Sequence, residues 1–130
     1  MFRLKKVDQI IAGKIIYQLA EDNCYLFDEF CAEIEKESNL TAFLIGAFKI
    51  LGDLANENRL PTYLVKPLKG KLKNEWEIRK GSIRIYFIKD SRGHIIISGG
   101  KKNSQPSDIK TFQNIHKRFL QPDSTVIIEK

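Results

Sequence analysis

The stretch from Val65 to Lys102 reads VKPLKGKLKNEWEIRKGSIRIYFIKDSRGHIIISGGKK, and it decides the fold. Three short runs in it are rich in β-branched and aromatic residues, which is typical of strands: Glu75–Arg79, Ile83–Lys89 and His94–Ser98. Their connections, KGS and DSRG, carry the glycine and polar residues that tight hairpins need. The stretch therefore predicts a meander of three antiparallel strands.

Before this stretch, the pattern predicts one strand and two helices. The apolar run KIIYQL, Lys14–Leu19, is typical of a strand, and Asp22 or Asn23 is placed to cap a helix after it. A second helix is predicted to open at Asn39 or Thr41. Both helices have apolar residues at helical spacing on one side: Leu26, Phe27, Phe30, Cys31 and Ile34 in the first, and Phe43, Leu44, Ala47, Phe48, Leu51 and Leu54 in the second.

After the meander, Ser107 or Asp108 is predicted to cap a last helix, and Ser124–Ile128 a final short strand. Inward positions of that helix are Ile109, Phe112, Ile115 and Phe119. The elements together predict an α+β fold in one domain, residues 1–130. In it, an N-terminal helical hairpin packs on a small, twisted, mainly antiparallel sheet with a C-terminal helix.

Charge is distributed unevenly along the 130 residues, whose net charge is +6. Residues 1–60 hold 7 Lys and Arg against 10 Asp and Glu, whereas residues 61–130 hold 15 against 6. Such asymmetry favours a C-terminal half that faces nucleic acid, and a solvated basic face is the alternative.

Several classes of protein are disfavoured by the composition. The apolar runs IIYQLA and FLIGAFKIL are too short to span a membrane, and the N-terminus has no signal-peptide pattern, which predicts a cytoplasmic protein. Cys24 and Cys31 are seven apart on what is predicted as one helix, roughly 10 Å, so buried free thiols are expected rather than a disulfide. Neither has a close Cys or His partner, so no metal site is predicted.

Two arginines are predicted to lie on neighbouring strands, across the turn at Gly81. Arg79 and Arg84 offer planar, permanently charged groups that match the geometry of a phosphate. The alternative for Arg79 is a surface ion pair with Glu75 or Glu77.

Further cations flank these strands. Lys101 and Lys102 follow two glycines that let a ligand approach the backbone, so either could donate a proton or clamp a phosphate; a basic turn is the alternative. Lys69, Lys71 and Lys73 alternate, which would place them on one side of an extended segment to contact an RNA backbone.

Three other side chains are candidates of a different kind. The hydroxyl of Tyr86 could contact RNA, or could satisfy a buried partner. His116 is predicted to be a helix-surface or boundary residue rather than a catalytic one. His94, at the start of a strand, is predicted to face solvent.

Four pieces of the C-terminal half resemble, in their order, the RelE/HigB superfamily of toxin ribonucleases, especially its phage-related HigB-like branch. The pieces are Val65–Leu68 (VKPL), Trp76–Arg79 (WEIR), Arg84–Tyr86 (RIY) and Lys101-Lys102. The resemblance covers residues 14–119 in element order, and residues 65–102 in specific letters. This chain departs from the branch where an aromatic residue usually precedes the paired lysines and a threonine follows them.

The resemblance implies a RelE-like fold and the toxin of a toxin–antitoxin pair, an endoribonuclease that cleaves mRNA, usually on the ribosome. Its partners would be a cognate antitoxin, mRNA and the ribosome, without a metal or other cofactor. It also implies that Arg84 contacts the scissile phosphate and that Lys102 is the cation after the last central strand.

Two other functions remain open from the sequence. One is a ParE-like toxin that acts on DNA gyrase without cleaving RNA. The other is an RNA-binding module without catalysis, whose affinity would depend on salt.

Overall fold

A computed structural model describes residues 1–8, 10 and 14–129 of the chain. In these residues the chain forms seven strands, three α-helices and one short 3-10 turn. In chain order they are β1 Phe2–Lys6, β2 Ile16–Glu21, α1 Leu26–Glu35, α2 Thr41–Ala55, β3 Val65–Pro67, β4 Glu75–Lys80, β5 Ile83–Asp90, β6 Gly93–Lys101, the 3-10 turn Lys102–Ser104, α3 Gln105–Phe119 and β7 Val126–Ile128.

All seven strands belong to one mixed sheet, in the order β3-β4-β5-β6-β2-β1-β7. The three central strands β4, β5 and β6 pair antiparallel, which confirms the predicted meander. Two pairs are parallel: β2 with β6, and β1 with β7. The parallel pair β2–β6 joins the two halves of the chain.

The prediction of an N-terminal helical hairpin on a small, mainly antiparallel, RelE-like sheet is wrong, although the fold is α+β. The chain begins with strands, and the sheet is larger and mixed. Strand β1, FRLKK, has only two buried apolar residues, Phe2 and Leu4, before two exposed lysines, so its signal is weak. Strand β3 is shorter still, with three residues, and it ends at Pro67, which suits an edge strand.

Helices cover both faces of the sheet and divide the core in two. Helices α1 and α2 pack on one face, where Ile78, Ile83 and Ile85 lie in one apolar cluster. Helix α3 packs on the other face, where Ile88 and Ile95 meet Phe112 in the second cluster. We call these the α1–α2 face and the α3 face. The buried polar residues Glu75, Glu77 and His116 interrupt the α3 face.

Two helix starts differ from the prediction. Asp22 and Asn23 have φ angles of 51° and 67°, so they form a turn, and α1 begins only at Leu26. Helix α3 begins at Gln105 rather than after Ser107, and Ser104 occupies its N-cap position. The hydroxyl of Ser104 lies within hydrogen-bonding distance of the carbonyl oxygen of Lys101 and of the carboxylate of Asp108, and it can donate its one proton to either. These contacts tie the helix start to the end of β6.

Both cysteines are free thiols, but the prediction of two buried thiols on one helix is wrong for Cys24. Cys24 is exposed and precedes α1, whereas Cys31 is half-buried within it. Across the described ranges, no helix combines the length and apolar character needed to cross a membrane.

Candidate functional site

Arg79 and Arg84 are directly opposite each other on β4 and β5. Residues of a strand alternate between faces, so Glu75, Glu77 and Arg79 share one face of β4, and it is the face that α3 covers. Arg84 and Tyr86 lie on the same face of β5. The structure therefore brings the two predicted arginines together, beside two carboxylates.

Arg79 lies at the mouth of a cleft at the β3 edge of the sheet. Its Nε donates to Oε1 of Glu77 at 2.6 Å, and its side chain is 36% exposed whereas that of Glu77 is 1% exposed. The ion pair with Glu77, which was the alternative role predicted for Arg79, is thus present, but the carboxylate of Glu77 is buried. We call the surrounding space of about 330 Å³ the basic cleft, which is lined by Lys66, Pro67, Leu68, Lys69, Glu77, Arg79, Gln105 and Ile109.

Arg84 is buried behind Arg79. Its Nη1 donates to the carbonyl oxygens of Gly81 at 2.8 Å and Ile83 at 3.0 Å. Its Nε has no hydrogen-bond partner among the described residues. Burial lowers the pKa of the Arg84 guanidinium, and the positive charge of Arg79 lowers it further. Arg84 is therefore a buried cation whose bonds to the turn leave its buried Nε without a partner among the described residues.

Glu77 also holds α3 against the sheet. Nε2 of Gln105, in the first turn of α3, donates to Oε2 of Glu77 at 2.5 Å. Each carboxylate oxygen thus accepts one hydrogen bond, from Arg79 on its own strand and from Gln105 on the helix. This arrangement fixes the position of the carboxylate in the basic cleft.

A second buried carboxylate, Glu75, holds the middle of α3. Its Oε2 lies 2.7 Å from Nδ1 of His116, and its Oε1 accepts from Nε2 of Gln113 at 3.0 Å. The imidazole of His116 also stacks on Phe112, with ring centroids 6.3 Å apart. The prediction that His116 is a helix-surface or boundary residue is wrong, because it is 3% exposed.

Tyr86 lies under α3 and does not reach the surface. The residue is fully buried, and its ring stacks on Phe112 with centroids 5.6 Å apart. Burial raises the pKa of its phenol, and the nearby carboxylates of Glu77 and Asp108 raise it further. Its hydroxyl has no hydrogen-bond partner within the described part of the chain, so in this structure Tyr86 neither contacts the basic cleft nor satisfies a buried partner.

The two lysines after β6 point in different directions. Lys101 is paired with Ile83 of the α1–α2 face, and its Nζ lies 2.6 Å from Oε2 of Glu37. Lys102 begins the 3-10 turn, where its backbone N–H donates to the carbonyl oxygen of Ser82 at 2.8 Å, and its side chain is exposed. Lys102 therefore follows β6 directly and lies beside the β4–β5 turn, with its side chain exposed to solvent.

The three alternating lysines lie between β3 and β4. Lys69, Lys71 and Lys73 are all exposed, but residues 70–74 form a series of bends rather than an extended segment. Their alternation consequently does not place them on one side of a strand. Lys69 alone of the three lines the basic cleft.

His94 is half-buried rather than facing solvent, and it lies at the opposite end of β6 from Lys101. Within the described ranges, no three His, Cys, Asp or Glu side chains are grouped so that they could hold a metal ion. The site is therefore built from two arginines, surrounding lysines and one buried carboxylate.

Sequence reasoning missed the contacts that connect α3 to the sheet, which are made by Glu75, Glu77, Gln105, Gln113 and His116. One signal was present: Glu75, Glu77 and Arg79 recur with the period of two that places them on one face. That face could be read as solvated until α3 was known to cover it.

No family model matches this sequence, and no curated protein matches it at a significant level.

Proposed function

We propose that this chain is an endoribonuclease toxin related to the RelE/HigB superfamily. It would cleave mRNA on the ribosome without a metal and be inhibited by a cognate antitoxin. The observation that supports the proposal best is the cross-strand pair of Arg79 and Arg84, with Arg79 opening into a cleft that also holds Lys66 and Lys69.

The basic cleft suits a phosphodiester. Arginine binds phosphate oxygens through charge-assisted hydrogen bonds in a fixed fork, and the lysines add charge without demanding one geometry. Arg79 can reach such a ligand from the surface, while Arg84 adds positive charge from beneath it. Lys71 and Lys73, exposed between β3 and β4, and Lys102, exposed after β6, would hold the flanking RNA backbone.

The reaction requires three tasks from these groups. The 2′ oxygen attacks the phosphorus, the bond from phosphorus to the 5′ oxygen breaks, and a 2′,3′-cyclic phosphate is left. Glu77 is the carboxylate in the lining of the cleft and would take the 2′ proton, while Arg79 would stabilise the charge on the phosphate oxygens. Lys69, one of two exposed lysines in the lining, would protonate the departing 5′ oxygen.

This set of groups is modest for an isolated enzyme. Glu77 is almost completely buried and already accepts two hydrogen bonds, so a substrate must be aligned closely to use it. Holding reactants in a productive geometry can supply several kcal/mol, roughly 7–11 in the best cases. A ribosome that positions the mRNA would provide this alignment.

The test is cleavage of mRNA in a translating extract, mapped by primer extension. We expect discrete new 5′ ends with the parent chain, and at least a hundredfold fewer with Arg79→Met or Glu77→Gln. Lys49→Gln is the matched control, since Lys49 is exposed on α2 across the sheet from the cleft. Cleavage that persists in both cleft variants would contradict the proposal. Growth arrest with intact mRNA in cells that express the chain would point instead to a gyrase poison.

A second candidate is an RNA-binding module without catalysis. It is favoured because the other side chains that could transfer a proton are buried or already paired. Tyr86 is buried, His116 is paired with Glu75, and Lys101 is paired with Glu37. Such a module would bind RNA with an affinity that falls steeply with salt, and Arg79→Met would weaken it. Salt-dependent binding without any new RNA ends would decide for this candidate.

A further inference from the structure

A second charged cleft lies at the opposite end of the central strands. It is bounded by the start of β2, the end of α2 and the β5–β6 turn, and its volume is about 320 Å³. We call it the distal cleft, which is lined by Lys14, Ile15, Tyr17, Ala55, Glu57, Lys89, Arg92, Gly93 and His94. Lys89 is five residues beyond Arg84 on β5, roughly 17 Å along the strand, so the two clefts are separate.

Positive charge in the distal cleft exceeds negative charge. Lys14, Lys89 and Arg92 line it, against the single carboxylate of Glu57. Lys14 pairs with Glu57 at 2.5 Å, and Arg92 pairs with Asp90 at 2.7 Å. Lys89 forms no ion pair within the described residues, so its ammonium group can bind an anionic ligand.

His94 lies directly opposite Lys89 in the β5–β6 register. Burial lowers the pKa of its imidazole; the charges of Lys89 and Lys14 lower it further, and Glu57 opposes them. Arg92 and the phenol of Tyr17 complete the ionisable groups that line the same space. A half-buried imidazole therefore lies in a positive field that a bound anion would neutralise.

The remaining lining is apolar and aromatic. Ile15, 46% exposed, lines the cleft together with Tyr17 and Ala55. Exposed apolar surface beside convergent polar groups is the usual composition of a small-molecule site, and 320 Å³ is at the small end of the common range of about 300–1,000 Å³. The cleft thus combines an anion-binding side with a flat apolar side.

From this arrangement we propose that the distal cleft binds a nucleoside monophosphate. The phosphate would contact Lys89 and His94, which lie opposite each other, and the base would lie against the exposed side chain of Ile15. This site is independent of the ribonuclease proposal, because it uses none of the residues of the basic cleft.

A purely structural role accounts less well for the cluster. The other two cations of this cleft are paired, Lys14 with Glu57 and Arg92 with Asp90. Lys89 instead lies opposite His94 and lowers the pKa of its imidazole by repulsion, without an ion pair of its own among the described residues. Repulsion of this kind is typical of a site whose anion arrives from outside.

The experiment is NMR titration of the two histidine imidazoles, in the full chain, with AMP, adenosine or inorganic phosphate. Ionic strength is held constant with KCl, so general screening is the same in every sample. We expect AMP to raise the pKa of His94, phosphate to do so with weaker binding, and adenosine to leave it unchanged. His116, which is buried against Glu75, is the internal reference.

Substitution then locates the ligand. Lys89→Gln should weaken AMP binding about tenfold, as expected for loss of one charge-assisted hydrogen bond. Lys110→Gln, an exposed lysine on α3, should not change it. A 5′-phosphorylated oligoribonucleotide that binds more tightly than AMP would identify the terminal phosphate of an RNA as the source of the same group.

Three results would overturn the proposal. The first is a His94 pKa that is the same in AMP as in KCl. The second is equal weakening by Lys89→Gln and Lys110→Gln, which would indicate nonspecific attraction. The third is equal binding of AMP and inorganic phosphate, which would remove the contact to the nucleoside.

Discussion

Nδ1 of His116 lies 2.7 Å from Oε2 of Glu75, in a contact where both side chains are almost fully buried. It joins the middle of α3 to the first residue of β4. His116→Leu would leave the carboxylate of Glu75 buried with only the amide of Gln113, so we expect the free energy of unfolding to fall by about 3 kcal/mol. Urea denaturation measures this, with the exposed neighbour Lys117→Gln as control. A loss below about 1 kcal/mol would show that the pair contributes little.

The two arginines of the basic cleft should differ in their effect on stability. Arg84→Met removes a buried cation that Arg79 repels, so we expect the free energy of unfolding to change by less than about 1 kcal/mol. Arg79→Met leaves the buried carboxylate of Glu77 with Gln105 alone, and we expect a loss of about 2 kcal/mol. Urea denaturation of the two variants measures these losses, and a larger loss for Arg84→Met than for Arg79→Met would contradict the prediction.

Neighbouring glycines on β6 should tolerate a methyl group unequally. A Cβ at Gly99 would lie 2.4 Å from Cδ2 of the Phe30 ring, whereas a Cβ at Gly100 would lie 2.0 Å from Oδ2 of Asp108. A ring in the core cannot turn aside, but the end of an aspartate can. We therefore expect thermal unfolding to show a loss of about 3 kcal/mol for Gly99→Ala and about 1 kcal/mol for Gly100→Ala.

A double-mutant cycle tests the reason for the smaller loss. In an Asp108→Ala background, Gly100→Ala should have almost no further effect, because the atom that it displaces is gone. Full additivity of the two substitutions would show that the strain lies elsewhere.

Stability should depend on pH through His94. Burial, followed by Lys89 and Lys14, lowers its pKa in the folded state, so the unfolded chain binds the proton more readily. The contribution is thus present above the unfolded-state pKa of about 6.5 and is lost as the pH falls from there to the folded-state pKa. Urea midpoints between pH 8 and pH 5 should fall less for His94→Gln than for the parent chain. Parallel curves would argue against this assignment.

The two thiols should react at different rates. The exposed Cys24 donates a hydrogen bond to Glu29, which raises its pKa, whereas burial raises the pKa of Cys31 to about 12. We expect a disulfide reagent at pH 8 to modify Cys24 slowly and Cys31 only on unfolding. Glu29→Gln should speed the modification of Cys24, and an unchanged rate would mean that Glu29 does not control this thiol.

Local patterns were sufficient for much of the fold. The alternation and turn residues of β4, β5 and β6 predicted the meander, and the helical spacing in α1, α2 and α3 predicted their buried sides. What the patterns could not supply was the pairing of distant strands. Strand β1 has two buried apolar residues, and only its neighbours β2 and β7 make it part of a sheet.

The positions of the two arginines in the candidate site were predictable from the sequence, but the burial of the residues under α3 was not. Arg79 and Arg84 flank a tight turn at Gly81, so their positions on facing strands follow from the sequence. The burial of Tyr86, Glu75 and His116 depends on α3 covering that face, and no short-range pattern tells which face a later helix will cover. The ion pair of Lys101 with Glu37 was hidden for a similar reason, because Glu37 lies far away in the chain.

The parallel pairing of β2 with β6 has a consequence for biosynthesis. Strand β2 can pair with β6 only after His94, the partner of Ile16, has left the ribosomal exit tunnel. The pairing of β1 with β7 comes later still, because it requires Val126. Until then the emerging N-terminal half has two strands and no wider sheet, and an isolated hairpin is marginal in water. Pairing between strands so far apart in the chain forms slowly, because loop-closure entropy opposes it. The basic cleft, which needs α3, is thus completed only after α3 has been made.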